Sequence, residues 1–129
     1  MSVPRVDHIV IPVSDLEASI TFYRDAVGLN LLDTNKEATL ATLRAGEQLV
    51  KLETPNRQGL VAAQVVPGSA DLCFQSDTEP EATLARMRSL GVRVVAGPVE
   101  KQGPQGVMVS VYVRDPDGSL VEIAHYPNR

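Results

Sequence analysis

Residues 6–29 read VDHIVIPVSDLEASITFYRDAVGL, in which a strand pattern turns into a helix pattern. Side chains of residues 6–13 alternate between two faces, as in a half-buried β-strand. Ser14, with Glu17 three residues later, predicts a capping box at the start of a helix. An apolar stripe at helical spacing follows, made of Leu16, Ile20, Tyr23 and Val27. Gly28 is expected to end the helix in a left-handed conformation. The stretch therefore predicts one strand followed by one amphipathic helix.

Three short strands are predicted after this helix, separated by turn-forming residues. They are Asn30 to Thr34, Thr39 to Arg44 and Gln48 to Thr54. The first half of the chain thus reads βαβββ. From Pro55 to Ser69 the pattern dissolves into a Pro- and Gly-containing stretch, which is interpreted as a connector.

The same order of elements begins again after the connector. A strand over 71–76 precedes a second capping box at Thr78 and Glu81, and Gly91 is expected to close the helix. The apolar stripe of this helix is Leu84, Met87 and Leu90. The remaining elements are predicted as a strand at 92–96, a loop at 97–106, and strands at 107–114 and 120–126.

The two halves agree in register. Gly28 lies 20 residues after His8, and Gly91 lies 20 residues after Asp71. Such self-similarity predicts a duplicated unit whose copies pack together. The expected fold is α+β, with two tandem βαβββ modules forming a curved mixed sheet around a central cleft. We expect a single domain over 1–129, with module one at about 4–55, a connector at about 56–69 and module two at about 70–127.

Composition narrows the classes of function. The 129 residues are 43% hydrophobic and 22% charged, and the net charge is −4 with no Lys or Arg run. Nucleic acid is therefore excluded as a partner, because phosphate binding needs clustered cations. No segment approaches the ~20 apolar residues that span a bilayer, so no membrane association is expected. The single cysteine, Cys73, lies in an apolar run that suggests a buried thiol, and a reducing cytoplasmic location fits.

Four polar side chains stand out at inward positions of the first and fourth strand of each module. They are His8, Lys51, Asp71 and Glu122. The repeat pairs His8 with Asp71, and Lys51 with Glu122.

Residues 6–29, together with VYVRDPDGSLVEIAHY at 111–126, resemble the opening and closing motifs of the vicinal oxygen chelate superfamily. This superfamily includes glyoxalases, bleomycin and fosfomycin resistance proteins, and extradiol dioxygenases. SADLCFQSD at 69–77, with the stretch 97–118, is most similar to lactoylglutathione lyase-like glyoxalase-domain proteins. The resemblance covers nearly the whole chain, but the scaffold serves several reactions and also plain binding.

The resemblance implies a divalent metal held by His8, Asp71 and Glu122, with Glu122 as the catalytic carboxylate. The chain departs from the family at Asp71, where a His is usual, and at Lys51, whose ammonium would repel a dication. Such an oxygen-rich set suits Mn²⁺, Mg²⁺ or Fe²⁺ better than Ni²⁺ or Zn²⁺. The alternative is a metal-free, partly buried ion-pair network of Lys51, Asp71 and Glu122, with His8 as a hydrogen-bonded strand residue.

Further side chains are candidates for contact with a substrate because they share strand faces with these four. They are Lys51, Glu53, Cys73, Met108, Ser110, Tyr112 and Arg114. An unactivated thiol is the favoured interpretation of Cys73, and His125 has the parity of a structural residue. The loop at 97–106 is either a lid or an ordinary connector.

Two main hypotheses for function follow from these residues and from the resemblance. The first is a metal-dependent, glyoxalase-like lyase or isomerase that acts on a small oxygen-rich carbonyl compound, with Glu122 as proton shuttle. The second is a metal-free protein that sequesters an antibiotic or metabolite. An extradiol dioxygenase is a weaker third, because the chain has only two His. The resemblance also implies a homodimer.

Overall fold

The computed structural model describes residues 2–128, and the chain divides between Ser69 and Ala70 into two compact units. Both units have the predicted βαβββ order. The elements of the first unit are β1 (His8–Pro12), α1 (Leu16–Thr21) with a π-helical continuation (Phe22–Val27), β2 (Asn30–Thr34), β3 (Leu40–Ala45) and β4 (Gln48–Glu53). Those of the second are β5 (Asp71–Gln75), α2 (Pro80–Ser89), β6 (Val94–Gly103), β7 (Gly106–Arg114) and β8 (Leu120–His125).

Each unit forms a four-stranded mixed sheet with the same strand order. The orders are β1-β4-β3-β2 and β5-β8-β7-β6. In both sheets the first strand pairs in parallel with the fourth, and Val10 opposite Lys51 corresponds to Cys73 opposite Glu122. The predicted α+β fold and its duplicated module are thereby confirmed, as two four-stranded sheets.

One face of each sheet packs against its own helix and is aliphatic. In the first unit Leu43 and Leu52 are fully buried on this face, and in the second Val111 and Val121 are. Burial of such side chains removes apolar surface from water and is the main favourable term in folding. Because side chains alternate along a strand, this burial also decides which residues project from the opposite face.

The first helix begins one residue later than predicted. Asp15, rather than Ser14, is the N-cap, and its side chain accepts a hydrogen bond of 3.1 Å from the Ala18 backbone N–H. Both residue types cap well, so the sequence pattern did not separate them. The π-helical continuation was also not predicted. Its wider turn lets the N–H of Gly28 reach the carbonyl of Tyr23, and Gly28 ends the segment at φ 99° as expected.

The predicted capping box of the second helix is wrong. Glu79 is the N-cap and makes no side-chain cap, while the Thr78 N–H bonds to the Ser76 hydroxyl instead. Pro80 lies at the start of the helix, where its missing N–H costs nothing. Leu90 was expected to face the core, but the helix ends at Ser89 and Leu90 is 50% exposed.

The prediction of a loop at 97–106, as either a lid or a connector, is wrong, because most of this segment is strand. β6 continues to Gly103, and a two-residue turn at Pro104 and Gln105 returns the chain into β7. Register shifts on both sides of Ala96 mark an irregular edge, and Gly97 and Pro98 lie within it. Pro is tolerated at such a site because its missing N–H breaks no ladder bond. The Gly and Pro residues in this segment therefore led to the prediction of a loop where the structure has a strand.

Gly97 fits where no other residue would. A Cβ atom there would lie 2.6 Å from the Ser110 carbonyl oxygen and 2.9 Å from the Val111 Cα, at φ +118°. Gly106 in the same hairpin has a similar φ of +114°, but a Cβ there would meet nothing within 4 Å. Substitution of Gly106 would thus introduce backbone strain alone, whereas substitution of Gly97 would introduce both strain and steric overlap.

We expect Gly97→Ala to lower the free energy of unfolding by about 3 kcal/mol or more, because strain and overlap add. Gly106→Ala should cost only about 1–2 kcal/mol, which is the strain alone. Urea unfolding followed by far-UV circular dichroism measures both losses. Equal losses in the two variants would contradict this account of the β6–β7 contact.

Candidate functional site

Glu122 lies at the centre of a polar surface on the second sheet. Across the strands its neighbours in register are Cys73 in β5 and Tyr112 in β7. Residues in register share a face, and this face is opposite the one that packs on α2. We call this surface the polar face. It consists of Asp71, Cys73, Lys101, Ser110, Tyr112, Arg114 and Glu122.

The Glu122 carboxylate has one hydrogen-bond donor and one nearby cation as partners. The residue is only 9% exposed. Its Oε2 accepts a hydrogen bond of 2.7 Å from the Ser110 hydroxyl, and its Oε1 lies 3.8 Å from the Lys101 Nζ. A buried carboxylate is stable only with such partners. Ser110 fixes one oxygen, whereas Lys101 faces the other at a longer distance.

Lys101 is positioned by Tyr112 as well as by Glu122. Its Nζ lies 5.3 Å from the centroid of the Tyr112 ring, within the range of a cation–π contact. Hydrogen bonding to Tyr112, followed by the charge of Glu122, raises the pKa of Lys101 above its ordinary value. The side chain is 43% exposed. The ammonium therefore stays charged at neutral pH and remains reachable from solvent.

Cys73 borders Glu122 but is chemically quiet. Partial burial of the thiol, and then the negative charge of Glu122, raises its pKa from an ordinary 9.0 to about 11, whereas Lys101 acts in the opposite direction. The thiol is therefore protonated at neutral pH and a weak nucleophile, as the sequence indicated. The residue is exposed, which corrects the expectation of a buried thiol. The reason is that β5 is an edge strand of its sheet.

Three other residues of the second unit that were predicted to bind a metal or substrate differ in their exposure. Asp71 is exposed and lies opposite Leu120, two residues along each strand from the Cys73–Glu122 pair. Met108 is buried in an apolar cluster with Ala124 and Tyr126, so it lies beneath the surface. Arg114 donates to the Gly118 carbonyl at 3.2 Å, and its buried Nε makes no hydrogen bond among the described residues.

The first unit holds the remaining predicted residues. His8 is exposed at the start of β1, and its Nδ1 lies 2.9 Å from the Asp7 carboxylate. This hydrogen bond lowers the pKa of Asp7. Lys51 is half-buried between Val10 and Thr42.

Glu53 is also in the first unit and is buried. Its Oε1 accepts a hydrogen bond of 2.7 Å from Arg57. The partner of Glu53 is thus Arg57 in the connector. This pair compensates the buried carboxylate and fastens the start of the connector to the end of β4.

A divalent metal does not fit the second unit as it is arranged. Within residues 2–128, no group of three or more His, Cys, Asp or Glu side chains is placed to hold a metal ion. Glu122 is faced by the hydroxyl of Ser110 and the ammonium of Lys101, and the ammonium would repel a dication. The ligand set of His8, Asp71 and Glu122 stays a prediction, with His8 in the first unit and the two carboxylates in the second.

His125 has the structural role that its parity predicted. Its Nδ1 lies 3.0 Å from the Ser76 carbonyl oxygen, and its Nε2 lies 3.5 Å from Glu79 at the start of α2. These contacts connect the end of β8 to the second helix, away from the polar face.

Sequence reasoning missed Lys101 because it placed this residue in a loop. In the structure Val99, Lys101 and Gly103 follow one face of β6, opposite Ser110, Met108 and Gly106. Residues 99–103 read VEKQG, which has no apolar/polar alternation, and the flanking Gly and Pro residues are typical of a loop, so the sequence contains no signal for this strand.

A family model described as the Glyoxalase/Bleomycin resistance protein/Dioxygenase superfamily matches residues 5–123. The chain belongs to this superfamily. This chain is similar to the crystal structure of virulence protein STM3117 from Salmonella typhimurium. The TM-score is 0.87, and the two sequences are 37% identical, with 98% of this chain and 99% of that chain covered. The match confirms the resemblance that the two terminal motifs indicated.

Two further relatives of this superfamily member carry functional names. Lactoylglutathione lyase of Haemophilus influenzae is 32% identical over 126 residues, which cover 92% of this chain and 90% of the relative. TnmS3, an antibiotic binding protein from Streptomyces sp. CB03234, has a TM-score of 0.75 and 25% identity over 97% of this chain and 98% of that chain. Proteins of this fold are therefore named both for lyase activity and for antibiotic binding.

The helices within residues 2–128 include none with the length and apolar character needed to cross a membrane.

Alkylation of Cys73 tests the electrostatics of the polar face. Glu122→Gln removes the negative charge that raises the thiol pKa, so the iodoacetamide rate at pH 8 should increase several-fold. Lys101→Met removes the charge that lowers this pKa, so the rate should decrease. Glu100→Gln, an exposed change in the same strand, serves as the control. Equal rates in all four proteins would show that these charges are not close to the thiol.

Proposed function

We propose that this superfamily member binds a small, oxygen-rich organic molecule on the polar face, with Glu122 accepting a hydrogen bond from it, and that binding needs no divalent metal. The observation that supports the proposal is the position of the Glu122 carboxylate between Ser110 and Lys101. One of its oxygens is bonded to Ser110, and the other faces Lys101 at 3.8 Å.

The chemistry of Glu122 supports a role as the acceptor. A carboxylate makes stronger hydrogen bonds than a neutral oxygen, and it does so most effectively in a partly desolvated site. Ser110 holds the group in one orientation before a ligand arrives, which reduces the entropy lost on binding. Lys101 provides the local cation that a dication would otherwise supply.

The neighbours of Glu122 suit an organic ligand with polar and apolar parts. Tyr112 offers a half-buried ring on one side, and Cys73 offers a neutral thiol on the other. Arg114 lies further along the same face, and its Nε has no hydrogen-bond partner among the described residues. The name of TnmS3 as an antibiotic binding protein supports binding without turnover as a function that this fold can serve.

A glyoxalase-like lyase is the second candidate, favoured by the relative named lactoylglutathione lyase. In that case Glu122 would take the proton from the carbon next to a substrate carbonyl and return it to the neighbouring carbon. Lys101 would stabilise the negative charge that develops on the oxygen. This candidate uses the same two side chains, so turnover is what separates the two functions.

Calorimetric titration with S-lactoylglutathione tests the proposal. Wild-type protein treated with a chelator should bind it with the same Kd as protein supplied with Mn²⁺ or Ni²⁺. Glu122→Gln should weaken binding at least tenfold, because a hydrogen bond to a charged group contributes about 1.5–3 kcal/mol. Glu100→Gln, whose side chain lies on the opposite face of β6, should bind as wild type does.

Two outcomes would overturn the metal-free proposal. Binding that appears only with added metal would contradict it, as would the absence of binding by the wild-type protein. Metal-dependent conversion of the methylglyoxal–glutathione hemithioacetal, lost in Glu122→Gln, would establish the lyase instead. A metal-free protein that binds S-lactoylglutathione but leaves the hemithioacetal unchanged would support the binding function.

A further inference from the structure

Lys101 and Glu122 form an ion pair that is longer than a direct hydrogen bond. Charge-assisted N–H···O hydrogen bonds are about 2.7–2.9 Å long, and the Nζ to Oε1 distance is 3.8 Å. The two groups are thus close enough to attract each other but too far apart to form this bond. An ammonium has three donors and a carboxylate oxygen has two lone pairs, so each can take a ligand atom without losing the other.

We propose that Lys101 is the specificity-determining residue of this site and selects a carboxylate with a hydroxyl on the neighbouring carbon. This inference rests on the proposed function and names its ligand class. The ligand carboxylate accepts a hydrogen bond from Lys101, and the adjacent hydroxyl donates to Oε1 of Glu122. Both ligand oxygens then lie along one edge of the Lys101–Glu122 pair.

The direction of these contacts follows from what is already bonded. Ser110 donates to Oε2 of Glu122, so Oε1 is the oxygen directed toward Lys101 and the ligand. Oε1 can only accept, and the ammonium can only donate. The ligand must therefore present a donor next to an acceptor, which a hydroxyl next to a carboxylate does. A diol would present no negative charge to Lys101, and a plain carboxylate would offer no donor to Glu122.

The polar face carries two cations that can accept the carboxylate of a ligand. Tyr112 holds the ammonium at 5.3 Å from its ring centroid, away from bulk water on one side. Arg114 adds a second cation on the same face, with a buried Nε that lacks a described partner. Glu122 and the exposed Asp71 provide two negative charges, so the polar face carries no net charge before a ligand binds.

Titration of ¹⁵N-labelled protein with glycolate, followed by amide chemical shifts, tests this inference. Glycolate should shift amides in 108–112 and 120–124 in a saturable way at millimolar concentration. Acetate, which lacks the hydroxyl, and glycolamide, which lacks the charge, should bind at least tenfold more weakly. Lys101→Met should weaken glycolate binding at least tenfold and remove the preference over glycolamide.

Control variants separate specificity from folding. Lys36→Met changes an exposed lysine in a turn of the first unit and should leave glycolate binding unchanged. Lys101→Arg keeps the positive charge and should retain the preference for glycolate over glycolamide at reduced affinity. Urea midpoints for Lys101→Met and Lys101→Arg identify any loss that is due to unfolding.

The possible failures are distinct. Equal binding of glycolate and glycolamide, or unchanged glycolate binding in Lys101→Met, would overturn the inference and leave binding at Glu122 intact. If glycolate causes no shifts while S-lactoylglutathione still binds in a Glu122-dependent way, the ligand class is wrong and the proposed function stands. If neither compound binds, both are wrong.

Discussion

The hydrogen bond from Ser110 to the buried Glu122 carboxylate is the constraint on which the polar face depends. A carboxylate that is 9% exposed loses most of its hydration, and only specific donors can replace it. Ser110 can donate because the antiparallel pairing of β7 with β8 brings it diagonally next to Glu122. That pairing is in turn held in place by aliphatic burial on the opposite face, where a shift by one residue would turn Glu122 toward α2. The core of the second unit thus positions its polar site.

The two units share a backbone plan but differ in charge at the corresponding point. Lys51 on β4 corresponds in register to Glu122 on β8, and Val10 on β1 corresponds to Cys73 on β5. The hydrogen bonds between strands are made by the backbone. The duplicated fold therefore tolerates side chains of opposite charge at equivalent positions of the two units. The first unit instead places its buried carboxylate at Glu53, where Arg57 compensates it. Stability of the fold and chemistry of the site are therefore carried by different residues.

Membership of the Glyoxalase/Bleomycin resistance protein/Dioxygenase superfamily restricts the scaffold more than the activity. Relatives of similar length are named for lyase activity and for antibiotic binding. In this chain Lys101 reaches Glu122 from β6 and contributes a cation to the polar face. Lys101 lies on an irregular edge strand, where small changes in register alter which side chains meet.

The sequence by itself determined the repeated βαβββ order and the left-handed end of the first helix at Gly28, because these follow from hydrophobic alternation, glycine and internal repetition. The helices start one residue later than predicted, at Asp15 and Glu79. Ser14 and Asp15 could cap the first helix equally well, whereas Glu79 makes no side-chain cap. Only the tertiary structure showed that 97–103 is strand and that Lys101 reaches Glu122 and Tyr112. The physical reason is that strand pairing between segments distant in the sequence decides which side chains meet. In addition, a lysine side chain is long and flexible, so hydrophobic periodicity does not predict the position of its ammonium group.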